Sequence, residues 1–260
     1  MSCQESVFGP YSRLVPVWWH SCCEAHYNVC RAGIYGMRPK EDLMDSFSEQ
    51  LRAEAAPMWS KIFAQPFLRE IKDGTLPLEK FQYYLGQDYL YLEGFARTVC
   101  MALAKAPDSQ TLEELAHRVM TPVERPLHHK LVAEAGLTME DIKKVKRSPT
   151  NTGYVNHMIT TASLYGLGPT AAALLPCPWS YHELRENLGQ SEHPLYGQWT
   201  HFYVAGLLQN SVDAWRGFVD QAAREASPQE LEAMREAFMI SSRYEYMFWD
   251  MAYNMEEWPV

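Results

Sequence analysis

The chain has 260 residues, 47% of them apolar and 21% charged, which suits one domain, or at most two, with a core of its own. Its 13% aromatic share, with only 14 glycines and 16 prolines and no low-complexity segment, excludes a disordered or fibrous chain. Net charge is −9, and no basic cluster is denser than Lys143 to Arg147, so nucleic acid is not expected as a partner.

Four of the six cysteines (Cys3, Cys22, Cys23 and Cys30) fall in the first thirty residues, and Cys100 and Cys177 stand alone. That pattern is neither a disulfide framework nor a zinc motif, and it predicts a reducing, cytoplasmic setting. The longest near-apolar stretch, Ala171 to Trp179, is about half of the ~20 residues that a membrane span requires. The apolar run Leu14 to Trp19 is shorter than a signal core and no small-residue cleavage site follows it, so neither membrane nor secretion is expected. Residues 1–36 have a texture of their own and no clear period. They read as an N-terminal extension of unknown role, with a helical domain over 37–260.

From Leu43 onward apolar residues recur at helical spacing and strict alternation never persists, which predicts an all-α, single-domain bundle of seven to eight substantial helices. Leu43, Phe47 and Leu51 begin the first helix. Phe67 to Ile71 form a second, which Gly74 ends as a C-cap. After Pro77 a long helix carries Phe81, Tyr84, Asp88, Tyr91, Phe95 and Val99 on one stripe, three or four residues apart. Helical patterns follow over Thr111–Ala135, Asp141–Lys146, Thr152–Tyr165, Pro169–Leu188, Leu195–Leu208 and Val212–Glu225. Ser227-Pro228-Gln229-Glu230 reads as a capping box, with Pro at N1, for a last helix that runs to about Met255.

Three features of these helices point to chemistry. Phe238, Ser242, Glu245, Trp249 and Ala252 advance by four, three, four and three, which turns Glu245 into the core. A core-facing carboxyl is either a structural hydrogen-bond partner or an acid whose pKa is raised by desolvation, suited to moving protons. Asp88 is interpolated in the same way between tyrosines. Prolines 176 and 178 each remove a helical hydrogen bond and disfavour α geometry in the preceding residue, so the helix should break where Cys177 stands. A lone cysteine there is either a small buried hydrophobe or a nucleophile, which needs a nearby base; Tyr181, His182 or a carboxylate from another helix can supply that setting.

Other motifs carry less. Glu114 and His117 have the spacing of carboxylate-bridged di-iron bundles, but there is one such pair, and Glu124 to His128 is spaced at four. His128, His129, His157, His193 and His201 read as surface or capping residues. Gly166-Leu167-Gly168 lacks a third glycine and follows no strand, so no phosphate loop is expected.

The segments GTLPLEKFQYYLGQDYLYL, SPTNTGYVNHM, AAALLPCPWSYHEL, HPLYGQWTHFY and FMISSRYEYMFWDMAY, in this order, resemble the TenA family, the thiaminase II enzymes, over about Leu43 to Trp258. The resemblance implies a haem-oxygenase-like fold, a homotetramer, no metal or organic cofactor, and a pyrimidine substrate. It implies Cys177 as nucleophile, Glu245 as proton carrier and Asp88 as the carboxylate on the amidine edge of an aminopyrimidine. Tyr91, Tyr154, Tyr181, Tyr203 and Phe248 would complete the pocket. The implied reaction releases hydroxymethylpyrimidine from aminomethylpyrimidine or thiamine, in thiamine salvage. Two alternatives stand beside it: an iron oxygenase or cofactor-synthesis enzyme of the same superfamily, and a non-enzymatic ligand-binding regulator.

Overall fold

A computed structural model describes residues 46–120 and 125–260. The extension over 1–36, the domain start at residue 37 and Leu43 lie outside the described residues. Twelve helices and no strand occur among them: α1 Phe47–Phe63, α2 Pro66–Asp73, α3 Leu78–Leu103, α4 Ser109–Met120, α5 Arg125–Glu134, α6 Met139–Lys144, α7 Pro149–Leu164, α8 Leu167–Leu174, α9 Pro176–Asn187, α10 Tyr196–Val204, α11 Gln209–Glu225 and α12 Pro228–Asn254. The count exceeds the sequence expectation because Thr111–Ala135 is described as α4 and α5 on either side of 121–124, Pro169–Leu188 divides at Leu175, and several helices are short. None of the described helices is long and apolar enough to cross a membrane.

Local chemistry sets the helix ends. Ser46 and Glu49 form a reciprocal capping box at α1, and Thr138 and Asp141 form another at α6. Gly74 ends α2 in the left-handed region (φ 74°), as its C-cap position predicts. At α12 the Ser227 hydroxyl accepts the Glu230 amide, so the structure forms the serine half of the predicted box. The helix divides at Leu175, just before Pro176, as the prolines predict, but Leu175 itself keeps α geometry (φ −60°, ψ −39°), and its amide still donates to Ala171. The prolines therefore act by leaving the carbonyls of Ala172 and Leu174 without their usual donors, not by bending the residue before them.

Helix α12 is the centre of the bundle and packs against α8, α1, α7, α3, α9 and α2. Helix α8 is apolar all round, and every residue from Gly168 to Leu174 is buried, which is how such a sequence must sit in water. Trp59, Phe238, Phe67, Tyr84 and Trp249 fill the core between α1, α2, α3 and α12. Arg52 holds Glu183 through two hydrogen bonds, 2.9 and 2.6 Å, and lies over the Trp59 ring, joining α1 to α9.

Beyond α12 the chain turns back through Met255 (φ 49°) onto the start of α7. The Glu256 carboxylate accepts the Thr150 amide (2.9 Å) and the Thr150 hydroxyl (3.0 Å), at the positive end of α7. Tyr83 donates to the Glu256 carbonyl, its phenol pushed up to about 12 chiefly by burial, and Trp258 Nε1 donates to the Arg147 carbonyl at 2.9 Å.

One glycine sets the crossing of α3 and α7. A Cβ at Gly94 would meet Val155 Cγ1 and Cγ2 at 2.6 and 2.7 Å. The close approach places the Tyr91 and Tyr154 rings 5.0 Å apart, centroid to centroid. Gly94→Ala gains up to about 1 kcal/mol of helix propensity but overpacks the contact with the branched Val155 side chain, which costs about 1–3 kcal/mol. The expected result is net destabilisation, read as a lower denaturation midpoint; an unchanged or raised midpoint would show that the crossing yields.

Candidate active site

The expected stripe on α12 points inward as its spacing predicts: Phe238, Ser242, Glu245, Trp249 and Ala252 are all buried. Glu245 is 3% exposed, and both of its oxygens are engaged. Oε1 accepts the Tyr154 hydroxyl at 2.6 Å, and Oε2 lies 3.0 Å from Ser180 Oγ. Ser180 Oγ is also 3.2 Å from the Cys177 carbonyl, so its single proton serves one acceptor at a time.

Cys177 is buried on the first turn of α9, and the Tyr91 hydroxyl, which donates to Met158 Sδ at 3.8 Å, also interacts with its side chain. Burial first, and then the electrostatic influence of Cys177, Tyr154 and Glu245, hold the Tyr91 phenol well above its ordinary range. Tyr154 is raised likewise, by burial first and Glu245 next. Both phenols therefore stay protonated and act as donors, one toward sulfur and one toward carboxylate. Phe248 meets Tyr91 edge-on, with centroids 5.5 Å apart.

Tyr181, one turn after Cys177, joins this group to a second. Its phenol is raised by burial and then by Tyr84, Asp88, Tyr203 and Glu245, so it lies in the field of both carboxyls. Its hydroxyl is 3.2 Å from that of Tyr84, and its ring is 4.9 Å from that of Tyr203. Asp88 sits at the far end, in a cleft with Tyr84, His128, Trp199 and Tyr203, its side chain 13% exposed. It is thus less enclosed than its stripe neighbours Tyr84 and Tyr91.

His128 corrects a sequence expectation, because it is buried and not a surface residue. Its Nε2 lies 2.8 Å from the Leu85 carbonyl and 3.7 Å from Asp88 Oδ2. Burial pulls its pKa down to about 4, so the ring is neutral at pH 7 and Nε2–H donates to Leu85. The Asp88 contact is therefore no ion pair. His193 does cap, its Nδ1 accepting from Leu195 and Tyr196, while His129 and His201 are exposed and His157 is half-buried.

The structure brings Cys177, Glu245, Tyr91, Tyr154, Tyr181 and Phe248 together, and links Asp88 and Tyr203 to them through Tyr181. Sequence reasoning missed Ser180, Tyr84 and His128. Ser180 stands three residues after Cys177, a spacing that places both on one helix face and is the one signal that could have found it. Glu114 and His117 are exposed on α4, and no three potential metal ligands gather among the described residues.

Cys177 also borders a cavity of about 420 Å³, shared with Pro178, Phe95, Val99 and Trp215. That size lies within the range of small-molecule sites.

Residues 52–255 match the TENA/THI-4/PQQC family. The chain belongs to this family. A relative from Halalkalibacterium halodurans, named aminopyrimidine aminohydrolase, is 34% identical over 220 residues, covering 82% of this chain and 98% of that protein. A solved TenA homologue from P. horikoshii OT3 is 32% identical, with a TM-score of 0.73 over 81% of this chain and 99% of the other. A domain from Shewanella denitrificans with a heme oxygenase-like fold is 13% identical; its TM-score is 0.65 over 82% of this chain and 94% of that one. The fold expected for the family member is thus the observed one.

Proposed function

We propose that the protein is an aminopyrimidine aminohydrolase of thiamine salvage, hydrolysing aminomethylpyrimidine to hydroxymethylpyrimidine and ammonia and also cleaving thiamine. The observation that carries this reading is the buried set of Cys177, Tyr91, Tyr154 and Glu245, joined by hydrogen bonds beside a ligand-sized cavity, in a chain related to an enzyme named for that reaction.

In this reading Asp88 accepts hydrogen bonds from the amidine edge of the ring, while Tyr181, Tyr203 and Phe248 bound its faces and exclude water. The Cys177 thiolate, which accepts from the Tyr91 hydroxyl, adds to a ring carbon and pushes an electron pair into the ring. The neighbouring methylene then expels its amine, which leaves as ammonia after taking a proton from Glu245. Water adds to the exposed methylene and returns a proton to Glu245. The carbon–sulfur bond breaks last, so the net change is one water consumed and one ammonia released. Tyr154 and Ser180 fix the carboxyl while it alternates between acid and base. A cytoplasmic location and a homotetrameric assembly belong to the same reading.

Product analysis with aminomethylpyrimidine and thiamine supplied side by side tests it. Hydroxymethylpyrimidine is expected from both, and release from neither would sink the proposal.

A further inference from the structure

The cavity beside Cys177 has an uneven lining. Leu92, Phe95, Val99 and Trp215 make an apolar side, and His117, Arg118 and Arg125 bring basic side chains to it from α4 and α5. In a chain of net charge −9, none of the described lining residues is acidic. Arg118 is the most telling. Among the described residues its Nε is buried without a hydrogen-bond partner, and its terminal nitrogen reaches only the Asn210 carbonyl, at 3.3 Å. Its guanidinium lies 6.0 Å from the Trp215 ring centroid. Burial lowers its pKa, though arginine remains charged, and Glu114, one turn back, is exposed and off the lining. A cation withdrawn from water with an unmet N–H is costly until an anion meets it.

The geometry points to a subsite for a phosphate-bearing leaving group in this cavity, with Arg118 and Arg125 as its anion receptors. The inference rests on the aminopyrimidine reading above. In that reading Cys177 bonds the pyrimidine ring, so the group on the neighbouring methylene lies beside the cavity that Cys177 borders and can extend into it. An apolar side suits a second, flat ring. The planar fork of arginine matches two phosphate oxygens at once, which a lone ammonium does not. A phosphate ester on the substrate and free inorganic phosphate share this chemistry.

The test compares kcat/KM for thiamine and thiamine monophosphate, with aminomethylpyrimidine turnover followed in parallel. The wild-type protein is expected to favour the monophosphate by about tenfold, the effect of one good charge-assisted hydrogen bond. Arg118→Gln is expected to erase most of that ratio, and Arg125→Gln, on an exposed side chain, to reduce it. Equal efficiency in the wild-type protein, or a ratio that neither variant changes, overturns the subsite. Competition by inorganic phosphate without any preference for the monophosphate overturns the leaving-group assignment. If no pyrimidine is turned over, the reading above has failed by itself. Calorimetric titration of the wild-type protein with the two compounds then decides the subsite: about tenfold tighter binding of the monophosphate supports it, and equal affinity rejects it.

Discussion

Cys177→Ser is expected to lower turnover of aminomethylpyrimidine by about 10²- to 10⁴-fold, roughly 3–5 kcal/mol of barrier, with the fold intact. Serine fits the space that the thiol occupies on the first turn of α9. An alcohol, though, is far less acidic than a thiol and offers little nucleophile near neutral pH. Tyr91 can donate to a thiolate, since its own phenol is held protonated by burial and by the charges around it. It cannot take the proton from a serine. Single-turnover kinetics with circular dichroism as a control checks the effect. A loss under tenfold would leave Cys177 as a packing residue.

Glu245→Gln is expected to cost about 10²- to 10⁴-fold in kcat, the usual range for a general acid–base group. The amide keeps an oxygen for Tyr154 and turns an N–H toward Ser180, whose hydroxyl can accept, so the two contacts survive and only the titrating proton is lost. His182→Asn, on the same helix as Cys177, is expected to cost little. If the histidine variant were the inactive one while the glutamine variant kept most of its rate, proton transfer would belong to His182.

The stripes on α3 and α12 were legible because burial imposes a period, and a carboxyl at such a position stands out against its neighbours. Glu245 is the clear example. Asp88 was legible in type but not in degree, since its cleft is closed by Leu127, His128 and Leu131 from α5, a helix that periodicity merged with α4. Spacing along one helix says nothing of what crosses it. His128 escaped for the same reason: its partner is a backbone carbonyl on α3, which no sequence pattern marks. The prolines announced the division of the helix at Leu175, yet that residue keeps α geometry, because its amide and carbonyl still bond Ala171 and Trp179. Ser180 was hidden by its ordinariness, as a small polar residue on a helix usually bonds its own backbone.

The turn at Met255 has a consequence for anyone who handles the chain. Glu256 stands two residues past the end of the helix that carries Glu245, and it grips the first turn of the helix that carries Tyr154. The two helices joined by the shortest hydrogen bond around Glu245 are thus laced together a second time, four residues before Tyr154 and eleven after Glu245. Shortening the chain to Asn254 would unlace them and let α7 slide against α12, with no pocket residue altered. A purification tag placed after Val260 leaves the lacing whole, and so trimming at this terminus should stop short of Glu256.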